Sequence, residues 1–210
     1  LMIRELMTLA KSQGRQPQME YQPVNLKIIA RRIQQNFQEE AIKKRLIFEV
    51  PLPEDLPEIK GDPEMVEQML ENLISNAIKY TPEGGRVGMT FWPEPDEMIR
   101  IVVSDNGIGI PKSEMPRVFT HFFRASNVQE VVGSGLGLTI VKEIVLKHHG
   151  TIRVESEEGI GTTFFISLPV AYGDGVQKRN GIVGKNRNQD FIDENAIRGD
   201  LEAAARSETD

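Results

Sequence analysis

The sequence predicts an α+β fold, a two-layer sandwich in which a mixed, mostly antiparallel sheet carries helices on one face. Four stretches repeat apolar residues at helical spacing, two of them behind strong start signals. Short runs rich in β-branched and aromatic residues come in neighbouring pairs joined by turns, and the last pair reads as a closing hairpin. Helices mixed with antiparallel neighbours, rather than strictly alternating with strands, give layers of this kind.

The elements follow in order. "LMIRELMTLAKSQ" places Met2, Leu6 and Leu9 on one face with Ile3, Met7 and Ala10 alongside, then breaks at "GRQPQ", a helix end followed by a linker. Behind Pro23, Asn25 is an N-cap for a helix through "LKIIARRIQQNFQEEAIKK", and "RLIFEV" is a strand closed by "PLPEDLP". Asp62 followed by Pro63 is an acidic cap with proline at the first helical position, so "PEMVEQMLENLISNAIKY" is a helix that stops at Thr81 and Pro82. Strands "RVGMTFW" and "MIRIVVSD" flank the turn "PEPDE", and a glycine-punctuated region runs from 105 to 137. A helix "LGLTIVKEIVLKHH" and the strands "TIRVES" and "TTFFISLP" around "EEGIG" complete the domain. From 172 to 210 large apolar residues are few, and a mobile tail is expected in which "DFIDENAIRGDLEAAAR" forms at most a weak helix.

Composition narrows the function. The chain has 210 residues, 39% of them apolar, enough for a proper core. A net charge of −6 and a pI of about 5.3 argue against non-specific nucleic-acid binding, so a polyanionic ligand must be held locally. With no cysteine there is neither a disulfide framework nor a thiolate metal site. No apolar run approaches the roughly 20 residues of a membrane span, and no leader pattern opens the chain. The sequence begins in mid-pattern at Leu1, as a fragment of something longer would.

Four stretches carry chemistry. In "ENLISNAIKYTPEGG", Asn72 and Asn76 are four apart and share a helix face, with Lys79 close to it and Tyr80 at its margin. Asparagine supplies a hard carbonyl oxygen suited to Mg²⁺ and amide donors for phosphate, and lysine adds a charge. The same residues also suit pairing within the fold and a solvated lysine at a helix end. "SDNGIGI" puts Asp105 at a strand end, where a carboxylate accepts from an exocyclic amine such as that of adenine, and Gly107 and Gly109 let the backbone turn and approach a flat ligand; an Asp-Asn-Gly turn reads identically. "VGSGLGLTIVKEIV" sets Gly133, Gly135 and Gly137 directly before a helix, an anion site or simply a mobile loop. Between the last two, "PRVFTHFFRASN" offers Phe119, Phe122 and Phe123 as core or as anchors of a lid, with Arg124 in reach of a phosphate.

Taken in this order, these segments resemble the catalytic and ATP-binding domain of sensor histidine kinases, in the GHKL group of ATP-binding folds. "ENLISNAIKYTPEGG" looks like the N box, "DNGIGI" the G1 box, "VFTHFFRA" the F box and "GSGLGLTIVKEIV" the G2 box, and the resemblance spans about residues 21 to 170. It implies a sheet-and-helices sandwich that binds Mg·ATP under a flexible lid and transfers a phosphoryl group to histidine. By matching positions Asn76 holds Mg²⁺ with Asn72 beside it or on phosphate. Lys79 and Arg124 meet the phosphates, Tyr80 and Ile110 line the pocket, and Asp105 reads the adenine amine near Gly107 and Gly109. Gly133, Ser134, Gly135, Leu136, Gly137 and Leu138 border the triphosphate, with Thr163 near the nucleotide.

In the gyrase, chaperone and mismatch-repair relatives a water-activating glutamate stands four residues before the Mg-binding asparagine. Here that position is Asn72, which is no general base, and Glu71 lies about 100° around the helix, so fast hydrolysis is not expected. The resemblance places the acceptor histidine on a dimerisation helix upstream of Leu1. Residues 1 to 16 are then the remnant of that hairpin and the start of the linker, 17 to 171 the catalytic domain and 172 to 210 the tail. His121 lies in the aromatic box without an assigned role. His148 matches the family's His-Gly-Gly turn, but His149 replaces its first glycine, a departure bearing on backbone geometry rather than chemistry. The implied partners are the histidine-bearing dimerisation domain of the same protein, a homodimer at full length, and a response regulator receiver domain. A cytoplasmic location is expected for the domain, with membrane attachment of the parent open. A GHKL serine kinase of the anti-sigma type and a non-catalytic nucleotide-binding module are the alternatives.

Overall fold

The computed structural model describes residues 21–128 and 133–171. The expected helix over 1–13, its linker and the tail from 172 lie outside the described residues. In chain order the elements are β1 (Gln22–Val24), α1 (Leu26–Lys43), β2 (Ile47–Glu49), β3 (Ile59–Gly61), α2 (Pro63–Tyr80), β4 (Arg86–Glu94) and β5 (Met98–Asp105). After two 3₁₀ turns, Met115–Arg117 and Ser126–Val128, come α3 (Gly137–Lys147), β6 (Thr151–Glu157) and β7 (Gly161–Pro169).

The main sheet runs β2-β4-β5-β7-β6, with β2 parallel to β4 and every other pair antiparallel, the mixed sheet expected. Alternation decides its two faces. Val87, Met89 and Phe91 of β4, Ile99, Ile101 and Val103 of β5, and Phe164, Ile166 and Leu168 of β7 are buried, whereas their sequence neighbours are half-covered or exposed. The register sets Ile101 between Phe91 and Ile166, and Val103 between Met89 and Phe164, so apolar rows cross the sheet. Val66, Met69, Leu70, Leu73, Ile74, Ala77 and Ile78 of α2, at helical spacing, join these rows in one core with α1 and α3.

The caps act where the sequence puts them. Asn25 Oδ1 accepts from the Ile28 amide at 3.2 Å, and Asp62 Oδ1 accepts from Glu64 and Met65 at 2.9 and 3.1 Å, with Pro63 next. "RLIFEV" pairs only over Ile47–Glu49, because Arg45 takes a left-handed φ of 55° to leave α1. β1 and β3, three residues each, form a separate antiparallel pair that no sequence pattern announced.

The carboxyl end of α3 is fastened to the start of α2 by His148, whose ring is fully buried. The Asp62 amide donates to Nε2 at 3.0 Å, which leaves the proton on Nδ1 to donate to the Ile144 carbonyl at 2.8 Å. Burial pushes the His148 pKa below its usual value, and the ring is neutral. His149 adopts a φ of 56°, so the position that departs from the family's glycine keeps a glycine-like conformation at a cost of about 1–2 kcal/mol.

Candidate functional site

One face of α2 builds the wall of a cavity of about 420 Å³, a size typical of small-molecule sites. While Leu73, Ile74 and Ile78 turn to the core, Asn72, Ser75, Asn76, Lys79 and Tyr80, related by three- and four-residue steps, line the opening. Among the described residues Asn72 Nδ2 is buried with no hydrogen-bond partner, a donor open to a ligand. A β-carbon at Gly137 would lie 3.6 Å from Asn72 Oδ1 and 3.9 Å from Asn76 Nδ2. The start of α3 therefore abuts both asparagines, and its first turn has no side-chain cap, so the helix start is open to an anion.

Asp105 ends β5 opposite Thr162 of β7. Burial is the main influence on its carboxyl and pushes the pKa up to about 6; backbone donors from Gly107 (2.9 Å) and Thr162 pull less strongly the other way. The turn that follows is locked on two sides. Ile108 donates to the Tyr80 carbonyl at 3.2 Å, Gly159 donates to the Ile108 carbonyl at 2.8 Å, and Ser156 Oγ accepts from Ile110 at 2.9 Å. Gly109, at φ 63°, presses so closely on the Glu157 carbonyl that any β-carbon would overlap it.

The three phenylalanines divide. Phe119 meets Phe164 edge-on at 6.5 Å in the core, Phe123 lines the cavity with the Arg117 guanidinium 4.6 Å from its ring, and Phe122 is exposed at a φ of 60°. Gly135 lies against the backbone of Phe122 and Phe123, where a β-carbon would come within 2.7 Å. Arg124 lines the cavity while one of its guanidinium nitrogens donates to the Val128 carbonyl at 2.6 Å. His121 stands outside the wall, Nε2 3.8 Å from Glu143.

Thus Asn72, Asn76, Lys79, Tyr80, Asp105, Gly109, Ile110, Arg124, Gly133, Ser134, Gly135, Gly137 and Leu138 come together around one space. Three expected positions do not. Thr163 lies on the other face of β7, because alternation sends Thr162 and Phe164 inward. Leu136 is 2% exposed and belongs to the core, and Gly107 acts behind the wall, its amide on Asp105, where a β-carbon would lie 2.6 Å from the Tyr80 carbonyl. Sequence reasoning missed Ser75, which helical spacing from Asn72 would have found, and Ile108, Val118, Val128 and Thr162, which only register and loop docking bring in.

Residues 61–172 match the family described as histidine kinase-, DNA gyrase B-, and HSP90-like ATPase. The chain belongs to this family. Among its relatives, the adaptive-response sensory kinase SasA of Synechococcus sp. (strain JA-2-3B'a(2-13)) is 41% identical over 127 residues, covering 60% of this chain and 34% of that protein. Full-length ShkA in complex with AMPPNP superposes with a TM-score of 0.71 at 26% identity, over 81% of this chain and 35% of that one. Histidine kinase ThkA in complex with the response regulator TrrA gives a TM-score of 0.64 at 26% identity, over 81% and 47%. The chain spans 34% to 44% of the length of the curated relatives it matches. Among the described residues no helix is long and apolar enough to cross a membrane.

Proposed function

We propose that this chain is the ATP-binding catalytic domain of a two-component sensor histidine kinase. It takes Mg·ATP into the cavity and delivers the γ-phosphoryl group to a histidine on the dimerisation domain, for relay to a response regulator. The observation that carries this reading is Asn72: a buried amide donor without a partner among the described residues, on one wall with Asn76 and Lys79, facing the start of α3. The nucleotide-bound and regulator-bound relatives support it by likeness.

The residues divide the work. Asp105 accepts the adenine amine, its carboxyl oriented by the Gly107 and Thr162 amides. Phe123 and Ile110 give the base apolar cover. The first amides of α3, Lys79 and Arg124 stand where negative charge is to be held. Asn76, with Asn72 beside it, fits Mg²⁺ through a side-chain oxygen, and among the described residues no cluster of three His, Asp or Glu offers a competing site. Bound magnesium supplies charge neutralisation on the phosphates. With an amide at Asn72 in place of a carboxylate, no side chain there accepts a proton from water, so the phosphoryl group waits for a nucleophile delivered from outside.

The test mixes this chain with the separate dimerisation segment and γ-labelled ATP. Label that is acid-labile and alkali-stable, on histidine, is the expected result. Acid-stable label would point to a serine kinase, and binding without label to a passive nucleotide module.

A further inference from the structure

Among the described residues, Lys44 makes three hydrogen bonds with its ammonium group, all to one helix end. Its Nζ donates to the carbonyls of Ile78 (2.8 Å), Lys79 (3.0 Å) and Thr81 (2.8 Å), the terminus of α2. A helix leaves its last carbonyls without intrahelical donors, and a half-buried end must find them elsewhere. Here the accounting closes. Ala77 accepts from the Thr81 amide and hydroxyl, Tyr80 accepts from Ile108, and the remaining three carbonyls converge on Lys44.

The ammonium is held from behind as well. Lys44 is the C-cap of α1, its amide donating to the Glu40 carbonyl while the next amide, Arg45, donates to Ile42, and its own carbonyl accepts from Gly84 at 3.2 Å beyond the end of α2. The last turn of α2 therefore has a donor fixed to another helix. That turn carries Lys79 and Tyr80 into the cavity, and the Tyr80 carbonyl supports the Ile108 amide and the Gly107 contact that seat the Asp105 turn. Both ends of the proposed ligand, phosphate and base, depend on it.

We infer that Lys44, which lies outside the cavity wall, is a positioning residue for nucleotide binding, fixing the end of α2 so that Lys79, Tyr80 and the Asp105 turn are ordered before the ligand arrives. Residues that must instead be ordered on binding draw that cost from the affinity. The inference rests on the nucleotide reading of the cavity.

The experiment titrates Mg·ATP and adenosine, separately, into the wild-type chain and into Lys44→Met, Lys44→Gln and Lys44→Arg, with amide exchange followed at Ile108 and across β5 and β7. Lys44→Met is expected to weaken both ligands by about tenfold, the order of one lost charge-assisted contact. Exchange at Ile108 should quicken while the central strands keep their protection. Lys44→Arg, which retains charge and several donors, should recover most of the affinity for both ligands, and Lys44→Gln should fall between. Lys44→Gln and Lys44→Arg carry the comparison if Lys44→Met does not fold. Wild-type affinity in Lys44→Met, or in Lys44→Gln, overturns the inference. So does a loss confined to ATP, because adenosine has no phosphate and a bare charge effect would spare it. A wild-type chain that binds neither ligand overturns the nucleotide reading itself, and is recognised before any variant is measured.

Discussion

Replacing Asp105 by asparagine should make the protein more stable and a poorer nucleotide binder at once. The folded state lifts this carboxyl from its ordinary 3.8 to about 6, chiefly by taking it out of water. Between those values the folded protein holds a proton that the unfolded chain has released. Stability therefore falls as pH rises through the window, and above about pH 6 the full penalty is present, at most about 3 kcal/mol. Asparagine keeps an acceptor for the Gly107 amide and carries no charge, so Asp105→Asn should gain about 1–3 kcal/mol at pH 7.5, or several degrees in Tm. The gain should shrink toward zero as pH falls to about 4. Adenosine affinity should drop by about tenfold or more with loss of the charged acceptor. Thermal denaturation from pH 4 to 8, paired with calorimetric titration of adenosine, reads both quantities. A variant less stable than wild type at pH 7.5, or a stability difference that ignores pH, would refute the argument that the carboxyl is strained by burial for the sake of a ligand.

His148 should act in the opposite sense. Its pKa is lowered on folding, so the neutral ring contributes fully above about pH 6.5 and stability is lost as pH falls below that; His148→Gln should flatten this acid limb in urea titrations and cost about 1–3 kcal/mol at neutral pH. Asn76→Asp should weaken ATP by about tenfold or more, and most severely without Mg²⁺, because a fixed carboxylate beside the phosphates repels them and removes amide donors; unchanged affinity in both conditions would move the site elsewhere. Gly109→Ala should cost more than about 1 kcal/mol of stability, read as a Tm lower by several degrees, since the left-handed backbone and the Glu157 carbonyl both exclude a β-carbon. Leu70→Ala, at a fully buried core position, should cost about 2–5 kcal/mol in chemical denaturation and leave the ATP affinity of the folded fraction unaltered.

What could be read directly from the chain was whatever depends on neighbours within a turn or two. Asn25 and Asp62 start helices because a side-chain oxygen needs only an amide two or three residues away, and Asn72, Asn76 and Lys79 share a face because helical pitch puts them there. The long strands β4, β5, β6 and β7 were legible as runs rich in β-branched and aromatic residues joined by turns, and the order of the boxes carried the family. Distance along the chain decided the rest. Thr162 rather than Thr163 faces the cavity because β7 is set by its register against β5, and Leu136 leaves the site for the core because α3 packs on α2. The pairing of β1 with β3 joins residues some 37 apart, with too few side chains on either to signal it. Lys44 looks like any basic residue closing a helix, and only the packing of α1 against α2 turns it onto three carbonyls from another segment. Local geometry is written in spacing; a contact between distant segments exists only after the core has brought them together, and in this protein that step separates the residues that line the cavity from those that hold its wall in place.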